Sequence, residues 1–570
     1  MDGPGDRASK RRCSREPTQS DHADGHGVVP NNVDLEPLLP PGSKSSASPH
    51  TSHAREPGDL GGVGGPMVVR RHGREGGSRK PQQSSEESDA RTVPTCKKSA
   101  NSRVTPEESM EGKRAANGKP APRNALRAQD RVGALTALER VGQRAKQRKG
   151  ERFTNLLSHI KVPLLAEAYN RLHKEAAPGV DGVTWRKYGE NLDARLRDLQ
   201  DRVHRGSYHP QPVRRVHIPK GDGRTRPLGI PALEDKVVQQ AVRMILEPIY
   251  EREFLGFSYG FRPGRSQHRA LDALAVAIGR KVSWVLDADI RAFYDTIEHG
   301  WMQKFLEHKI ADRRMVRLLM KWLHAGVVEN GELRAVQEGA PQGGGISPLL
   351  SNIYLHYAVD LWVRQWRRRH ARGEVYIVRY ADDMVLGFQY EQDARAMRPA
   401  ITERLAKFGL ELHAEKTRVL RFGRYACKDC KREGRARPET FDFLGFTHIA
   451  GQARDGKFQL QRRTSRKKRA AKLSALRVEM RRRRHEPPAM QHRWLCSVIR
   501  GHCNYYGVPT NARALVTFCR QVERAWHRQL QRRSQRARWT VEKIQRFEAR
   551  FPLPPARIVH PWPERRFHGP

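Results

Sequence analysis

Tyr376-Ile-Val-Arg-Tyr-Ala-Asp-Asp-Met-Val-Leu-Gly-Phe388 is the stretch on which the reading of this chain turns. Two apolar, β-prone runs flank Ala381-Asp382-Asp383, which predicts strand over 375–387 folded as a hairpin, with two adjacent carboxylates at its turn. Adjacent carboxylates repel, and keeping both charged beside a core is costly unless a cation neutralises them. An ordinary Asp-rich β-turn is the plain alternative, and this segment alone does not exclude it.

Upstream, Ser283-Trp-Val-Leu-Asp-Ala-Asp-Ile-Arg-Ala-Phe-Tyr-Asp295 reads as a strand over 284–290 that also ends in acids. Asp287 and Asp289 lie two apart, so both project to one face of that strand. Two strands ending in carboxylates suit a pair of Mg²⁺ ions about 4 Å apart, able to activate a 3′-hydroxyl and neutralise nucleotide phosphates. Phosphoryl transfer depends mainly on such positioning and charge stabilisation. Spacing does not choose between Asp287 and Asp289.

Tyr380-Ala-Asp-Asp383 resembles the signature of reverse transcriptases, and Asp289-Ile-Arg-Ala-Phe-Tyr-Asp295 resembles the metal-binding motif that precedes it. The resemblance implies that Asp289, Asp382 and Asp383 bind two Mg²⁺ ions with the backbone carbonyl of Ile290, leaving Asp287 a supporting role. Tyr294 matches the aromatic gate that excludes a ribose 2′-hydroxyl, where most group II intron relatives carry Phe. Three more blocks follow the family's order. Ile218-Pro-Lys-Gly-Asp-Gly-Arg-Thr-Arg-Pro-Leu-Gly-Ile230 resembles the fingers hairpin, which implies that Lys220 and Arg226 grip the triphosphate. Gly339-Ala-Pro-Gln-Gly-Gly-Gly-Ile-Ser-Pro-Leu-Leu-Ser-Asn-Ile353 resembles the template-nucleotide motif and implies Gln342 against the nascent base pair. Gly409-Leu-Glu-Leu-His-Ala-Glu-Lys-Thr417 and Phe441-Asp-Phe-Leu-Gly-Phe446 imply Lys416 near the leaving phosphate and a primer grip of Phe443, Leu444 and Gly445.

The subfamily comes from other segments. Gly179-Val-Asp-Gly-Val-Thr184, Ser258-Tyr-Gly-Phe-Arg-Pro-Gly-Arg-Ser266, Trp494-Leu-Cys-Ser-Val-Ile-Arg-Gly501 and Arg532-Arg-Ser-Gln535 resemble group II intron reverse transcriptase/maturases. The resemblance spans about 150–567. It implies intron RNA as template and splicing substrate, a target DNA primer and dNTPs as partners, and a bacterial-type cytoplasmic location. No Cys/His-rich stretch follows His560-Pro-Trp-Pro-Glu-Arg-Arg-Phe567, so the expected relatives are those without an HNH nuclease.

Composition agrees. Lys and Arg outnumber Asp and Glu by 107 to 62, a net charge of +45 that calls for a polyanionic partner. No apolar run approaches the length of a membrane span, so no membrane partner is expected. Seven scattered cysteines argue against a disulfide framework, and Cys427-Lys-Asp-Cys430, without a second pair, reads as a polar loop with free thiols. Residues 1–125, rich in Gly, Pro, Ser and charge, read as a disordered basic extension. Leu126, Val132, Leu135 and Leu138 then predict an entering helix.

The expected fold is α+β, a right-hand polymerase. Fingers and palm span 126–450, with strands such as 213–219 and helices such as 235–250 and 267–278. A helical thumb/maturase (X) domain spans 451–545, including a basic helix over 466–484, and a tail spans 546–570. Two competing readings are a non-catalytic RNA-binding maturase and an RNA-templated RNA polymerase. Retention of Asp289, Asp382, Asp383, Lys220 and Gln342 argues against the first, and Tyr294 against the second.

Overall fold

The computed structural model describes residues 122–567, apart from 149, 220–224, 330, 335–337, 341, 454 and 535–538. Most of the N-terminal extension and Lys220 therefore lie outside the described residues. The first helix, α1 (Pro122–Gln147), begins inside the segment expected to be disordered. Helices α2 (Val162–Arg171) and α3 (Leu192–Arg205) follow. Strands β1 (Val213–Pro219) and β2 (Thr225–Ile230) pair antiparallel, with residues 220–224, Lys220 among them, between the two in sequence.

Helix α4 (Leu233–Tyr250) explains why this half of the chain packs tightly. Its apolar residues recur on nearly every face, and Val237, Val238, Ala241, Val242, Ile245 and Ile249 are all fully buried. A helix apolar all round belongs in the middle of a core. Its first turn carries Glu234 and Asp235, favourable beside the exposed N–H groups of a helix start. Asp235 accepts hydrogen bonds from the Tyr208 hydroxyl and from Gln211 N.

Helix α5 (Gln267–Gly279) leads into β3 (Trp284–Asp289), followed by α6 (His299–Lys309) and α7 (Arg313–Leu323). The short strands β4 (Val327–Glu329) and β5 (Glu332–Arg334) complete the first sheet, in the order β2-β1-β4-β5. Helix α8 (Ser347–Leu355) runs through a π-helical turn (His356–Asp360) into α9 (Leu361–Arg369). The hairpin β6 (Val375–Tyr380) and β7 (Asp383–Phe388), helix α10 (Glu391–Ala406) and β8 (Arg418–Arg421) come next. They build a second, wholly antiparallel sheet in the order β6-β7-β3-β8.

That sheet is covered on both faces. Leu286, Ala288 and Leu386 pack with Met397, Ile401 and Leu405 of α10. Val285, Val385 and Leu420 pack with Leu271, Leu274 and Ile278 of α5. Side chains alternate along a strand, so Asp287 and Asp289 share the face of Val285. Cross-strand partners share a face as well, which places Asp383, opposite Asp289, on the same side.

Helix α11 (Ala426–Arg432) holds the CxxC segment, which corrects the expected loop. The Cys427 and Cys430 thiols donate to the carbonyls of Ala450 and Arg435, and Cys430 is buried. Strands β9 (Thr440–Phe443), β10 (Phe446–Gln452) and β11 (Phe458–Thr464) form a third sheet. Helical structure, expected from about 455, begins at α12 (Arg466–Arg482) because Phe458–Thr464 pairs along the whole of β10. Helices α12, α13 (Pro488–Tyr506) and α14 (Ala512–Gln531) enclose Leu476, Leu495, Ile499, Phe518, Val522 and Trp526. The tail is packed rather than free. Helix α15 (Val541–Arg550) and the segment after it place Phe547, Phe551 and Leu553 on this core, and His560 stacks on His268. No helix among the described residues is long and apolar enough to cross a membrane.

Candidate active site

The acids that open the sequence reading meet at one end of the β6-β7-β3-β8 sheet. Tyr380 pairs with Asp383 across a two-residue turn, so Asp382 sits in the turn and Asp383 begins β7. Asp289, the last residue of β3, pairs directly with Asp383. Ile290 then bridges to Leu412, and its N–H lies 3.4 Å from the carbonyl oxygen of Asp382. Ala381 holds φ at +57°, in the left-handed region, which costs a residue with a Cβ about 1–2 kcal/mol. The turn is therefore maintained by its surroundings.

The site is electrostatically crowded. Burial pushes Asp383 well above the usual carboxylate range, and Asp287, Asp289 and Asp382 push it further. Burial raises Asp382 too, and Asp289 adds to the effect. Asp287 is pushed up to about 7, first by burial, with Arg418 opposing and Asp289 and Asp442 reinforcing. Arg418 is its cross-strand partner on β8. Lys416 answers part of this charge, because its ammonium contacts Asp289 Oδ2. The loop that carries it is anchored locally, with His413 N donating to the Asp289 carbonyl at 2.8 Å and Lys416 N to the His413 carbonyl at 3.1 Å.

Among the described residues no three His, Cys, Asp or Glu side chains converge as a finished metal cage. The donor chemistry nevertheless fits a cation. Hard oxygen donors from Asp289, Asp382 and Asp383 lie at one end of the sheet. The charged forms of Asp382 and Asp383 are penalised by burial and by the neighbouring acids, with an ammonium already drawn to Asp289. A divalent ion would relieve the repulsion that Lys416 relieves in part.

Two other expected residues meet above β2. Arg226 Nε donates to Gln342 Oε1 at 2.7 Å, and Gly229 N donates to the Gln342 carbonyl at 2.6 Å. Gly343 follows with φ +121°, and a Cβ there would lie 2.5 Å from the Gly229 carbonyl oxygen, so only glycine brings this loop against the hairpin. Tyr294 is 8 % exposed, its hydroxyl 3.5 Å from Ser351 Oγ. Burial raises its pKa, and the charges of Asp382 and Arg226 both reach it.

Phe443, Leu444 and Gly445 form the β9–β10 turn. Leu444 and Gly445 have φ of +49° and +80°, the double left-handed step of a tight hairpin. The Tyr505 hydroxyl fixes the turn by donating to the Leu444 carbonyl at 2.9 Å. Asp442, one residue earlier, is the acid that couples to Asp287.

Sequence reading passed over Arg379, which is buried directly behind the acidic turn and donates to the Ala381 carbonyl at 2.9 Å. The signal was present: a lone arginine inside the apolar run Val375-Tyr-Ile-Val-Arg379 demands a buried acceptor.

Comparison with known proteins bears on this geometry. Residues 218–448 match the reverse transcriptase (RNA-dependent DNA polymerase) family. Protein YkfC of Escherichia coli (strain K12) is 38% identical over 278 residues, 42% of this chain and 72% of that protein. The group II intron-encoded protein LtrA of Lactococcus lactis subsp. cremoris is 36% identical over 240 residues, 42% of this chain and 40% of LtrA. Nuclear intron maturase 2, mitochondrial, of Arabidopsis thaliana is 26% identical over 156 residues, 27% of this chain and 20% of that protein.

Proposed function

The chain belongs to the group II intron-encoded reverse transcriptase/maturases, and on that premise we propose that it copies RNA into DNA at the carboxylate cluster of β3 and the β6–β7 turn. The observation that carries this reading is the register of Asp289 on Asp383, with Asp382 in the intervening turn. It supports a right-hand reading in which 126–450 supplies fingers and palm and the helices from α12 onward supply the thumb. Asp289, Asp382, Asp383 and the Ile290 carbonyl would hold two Mg²⁺ ions, whose chemistry is to acidify a primer hydroxyl and neutralise phosphate charge.

The chain's own groups do the rest. Arg226 reaches the triphosphate of the incoming dNTP, and Gln342, hydrogen-bonded to it, lies against the new base pair. Lys220 is assigned the same triphosphate by resemblance alone. Tyr294, its ring packed in the core, is assigned by resemblance the gate that excludes a ribose 2′-hydroxyl. Lys416, which contacts Asp289, would neutralise or protonate the departing pyrophosphate. The Phe443-Leu444-Gly445 turn supports the primer strand.

A second activity, assistance to intron RNA splicing, rests on the basic C-terminal helices. Arg477 and Arg481 of α12 face Arg524 and Arg528 of α14, with Arg532 just beyond, across a cleft of about 440 Å³ that no carboxylate lines among the described residues. Such a cleft suits the phosphates of a folded RNA. Extension of a DNA primer on an RNA template, with dNTPs or NTPs in Mg²⁺ and then in chelator, tests the catalytic reading. The expected result is extension with dNTPs only, abolished by the chelator. A folded, RNA-binding protein that extends nothing would instead favour a splicing-only maturase.

A further inference from the structure

The back of the acidic turn is built as carefully as its front. Arg379 is 1% exposed, and its guanidinium is engaged on every nitrogen. Nε and Nη2 donate to the two oxygens of Asp360 at 2.7 and 2.6 Å, a two-pronged pair. Nη2 also donates to Ser258 Oγ at 2.8 Å. Nη1 donates to Asn352 Oδ1 at 3.2 Å and to the Ala381 carbonyl at 2.9 Å. Asp360 comes from the π-helical turn, Asn352 from α8 and Ser258 from the loop before α5.

That loop is locked to the hairpin from its own side. Tyr259 N donates to the Arg379 carbonyl at 2.8 Å, and Arg379 N donates to the Phe257 carbonyl at 2.9 Å. Asn352 Nδ2 donates to the Gly260 carbonyl at 2.7 Å. A Cβ on Gly260 would lie 2.4 Å from Ala381 N, so the loop backbone lies directly against the turn. Buried Arg262 braces the same loop by donating to the carbonyls of Leu255 and Ser258 at 2.7 and 2.8 Å.

Three unfavourable features coincide here: a fully buried ion pair, a π-helical turn and a left-handed alanine. A buried pair adds little stability over apolar residues of similar volume. π-Turns and strained backbone gather at functional sites. We propose that Arg379, held by Asp360, is a positioning residue for polymerisation: by fixing the Ala381 carbonyl it maintains the turn that aims Asp382 and Asp383 at Asp289. The inference rests on the polymerase reading above.

Two variants of the full chain test it by different routes. Arg379→Met with Asp360→Leu removes both charges together, so no lone charge stays buried. Gly260→Ala leaves the pair intact and pushes on the turn backbone. Each is compared with wild type for extension rate at saturating dNTP, half-saturating Mg²⁺, template–primer affinity and melting temperature. Both should slow extension roughly a hundredfold and raise half-saturating Mg²⁺ roughly tenfold, with template–primer affinity unchanged. A folded double variant with wild-type rate and Mg²⁺ dependence would overturn the proposal. If the double variant does not fold, Gly260→Ala decides, and wild-type behaviour there overturns it equally. Failure of the wild type to extend would remove the polymerase reading and this inference together.

Discussion

Asp287 and Asp289 carry the same chemistry two residues apart on one strand face, and nothing in their spacing separates them. The structure does so through their neighbours. Asp289 is the cross-strand partner of Asp383 and contacts Lys416, whereas Asp287 lies opposite Val385 and beside Arg418. Asp289→Asn is therefore expected to cut primer extension by about a hundredfold or more. Asp287→Asn, which keeps the shape beside Arg418, should leave extension within a few-fold. Parallel single-turnover rates check this, and equal losses would show that the two acids share the work. Asp382 and Asp383 were singled out in the sequence because a second acidic strand and the ordered motifs around them outweighed the ordinary Asp-rich turn that the segment alone allowed. Arg379 was not, because its meaning depends on Asp360, Asn352 and Ser258, which only the fold brings to it.

At the scale of elements, what the sequence made plain was periodic. Helix α4, expected over 235–250, spans Leu233–Tyr250, and the helix expected over 267–278 spans Gln267–Gly279. What it obscured was β11. Phe458-Gln-Leu-Gln-Arg-Arg-Thr464 alternates, but its inward positions include Arg462, which reads as surface until Asp272 appears beside it at 2.6 Å. The CxxC segment was misread for a related reason: polar composition suggested a loop, while Ala426 and Cys430 at helical spacing are both buried. The arginine cleft makes a prediction of its own. Arg524→Ala with Arg528→Ala should weaken binding to structured RNA and reduce the slope of log affinity against log salt by about two, one per lost phosphate contact. An unchanged slope in filter binding would move the RNA contact elsewhere.

Over the whole molecule, the charge of +45 foretold a polyanionic partner without saying where it sits. Buried histidines, which composition cannot reveal, set part of the response to acid. His448 is fully buried between Phe441, on which it stacks at 4.7 Å, and the rest of its core, and burial pushes its pKa down to about 3. Burial likewise lowers His356 and His502 to about 4. Their unfolded forms titrate near 6.5, so as pH falls below that value the unfolded chain gains protons that the folded chain refuses. Stability drops accordingly, by up to about 1.4 kcal/mol per pH unit for each histidine. Asp235, raised to about 6 by burial, acts in the opposite sense, since its folded form takes a proton first. The difference between His448→Phe and wild type isolates one group: urea midpoints at pH 7.5 and 5 should show the variant gaining on wild type at the lower pH. A constant difference would mean that His448 is not held neutral.

The central claim is that three carboxylates, brought together by the register of β3 on β7, form the catalytic cation site of an RNA-directed DNA polymerase. The most direct test is extension of a DNA primer on an RNA template, in Mg²⁺ and dNTPs, by wild type and by Asp382→Asn with Asp383→Asn. The amides keep the shape of the turn and remove its repulsion, so the variant should bind template–primer normally and melt no lower than wild type. The account predicts extension by wild type and none by the variant. Extension by both at similar rates would contradict it and place the chemistry elsewhere in the molecule.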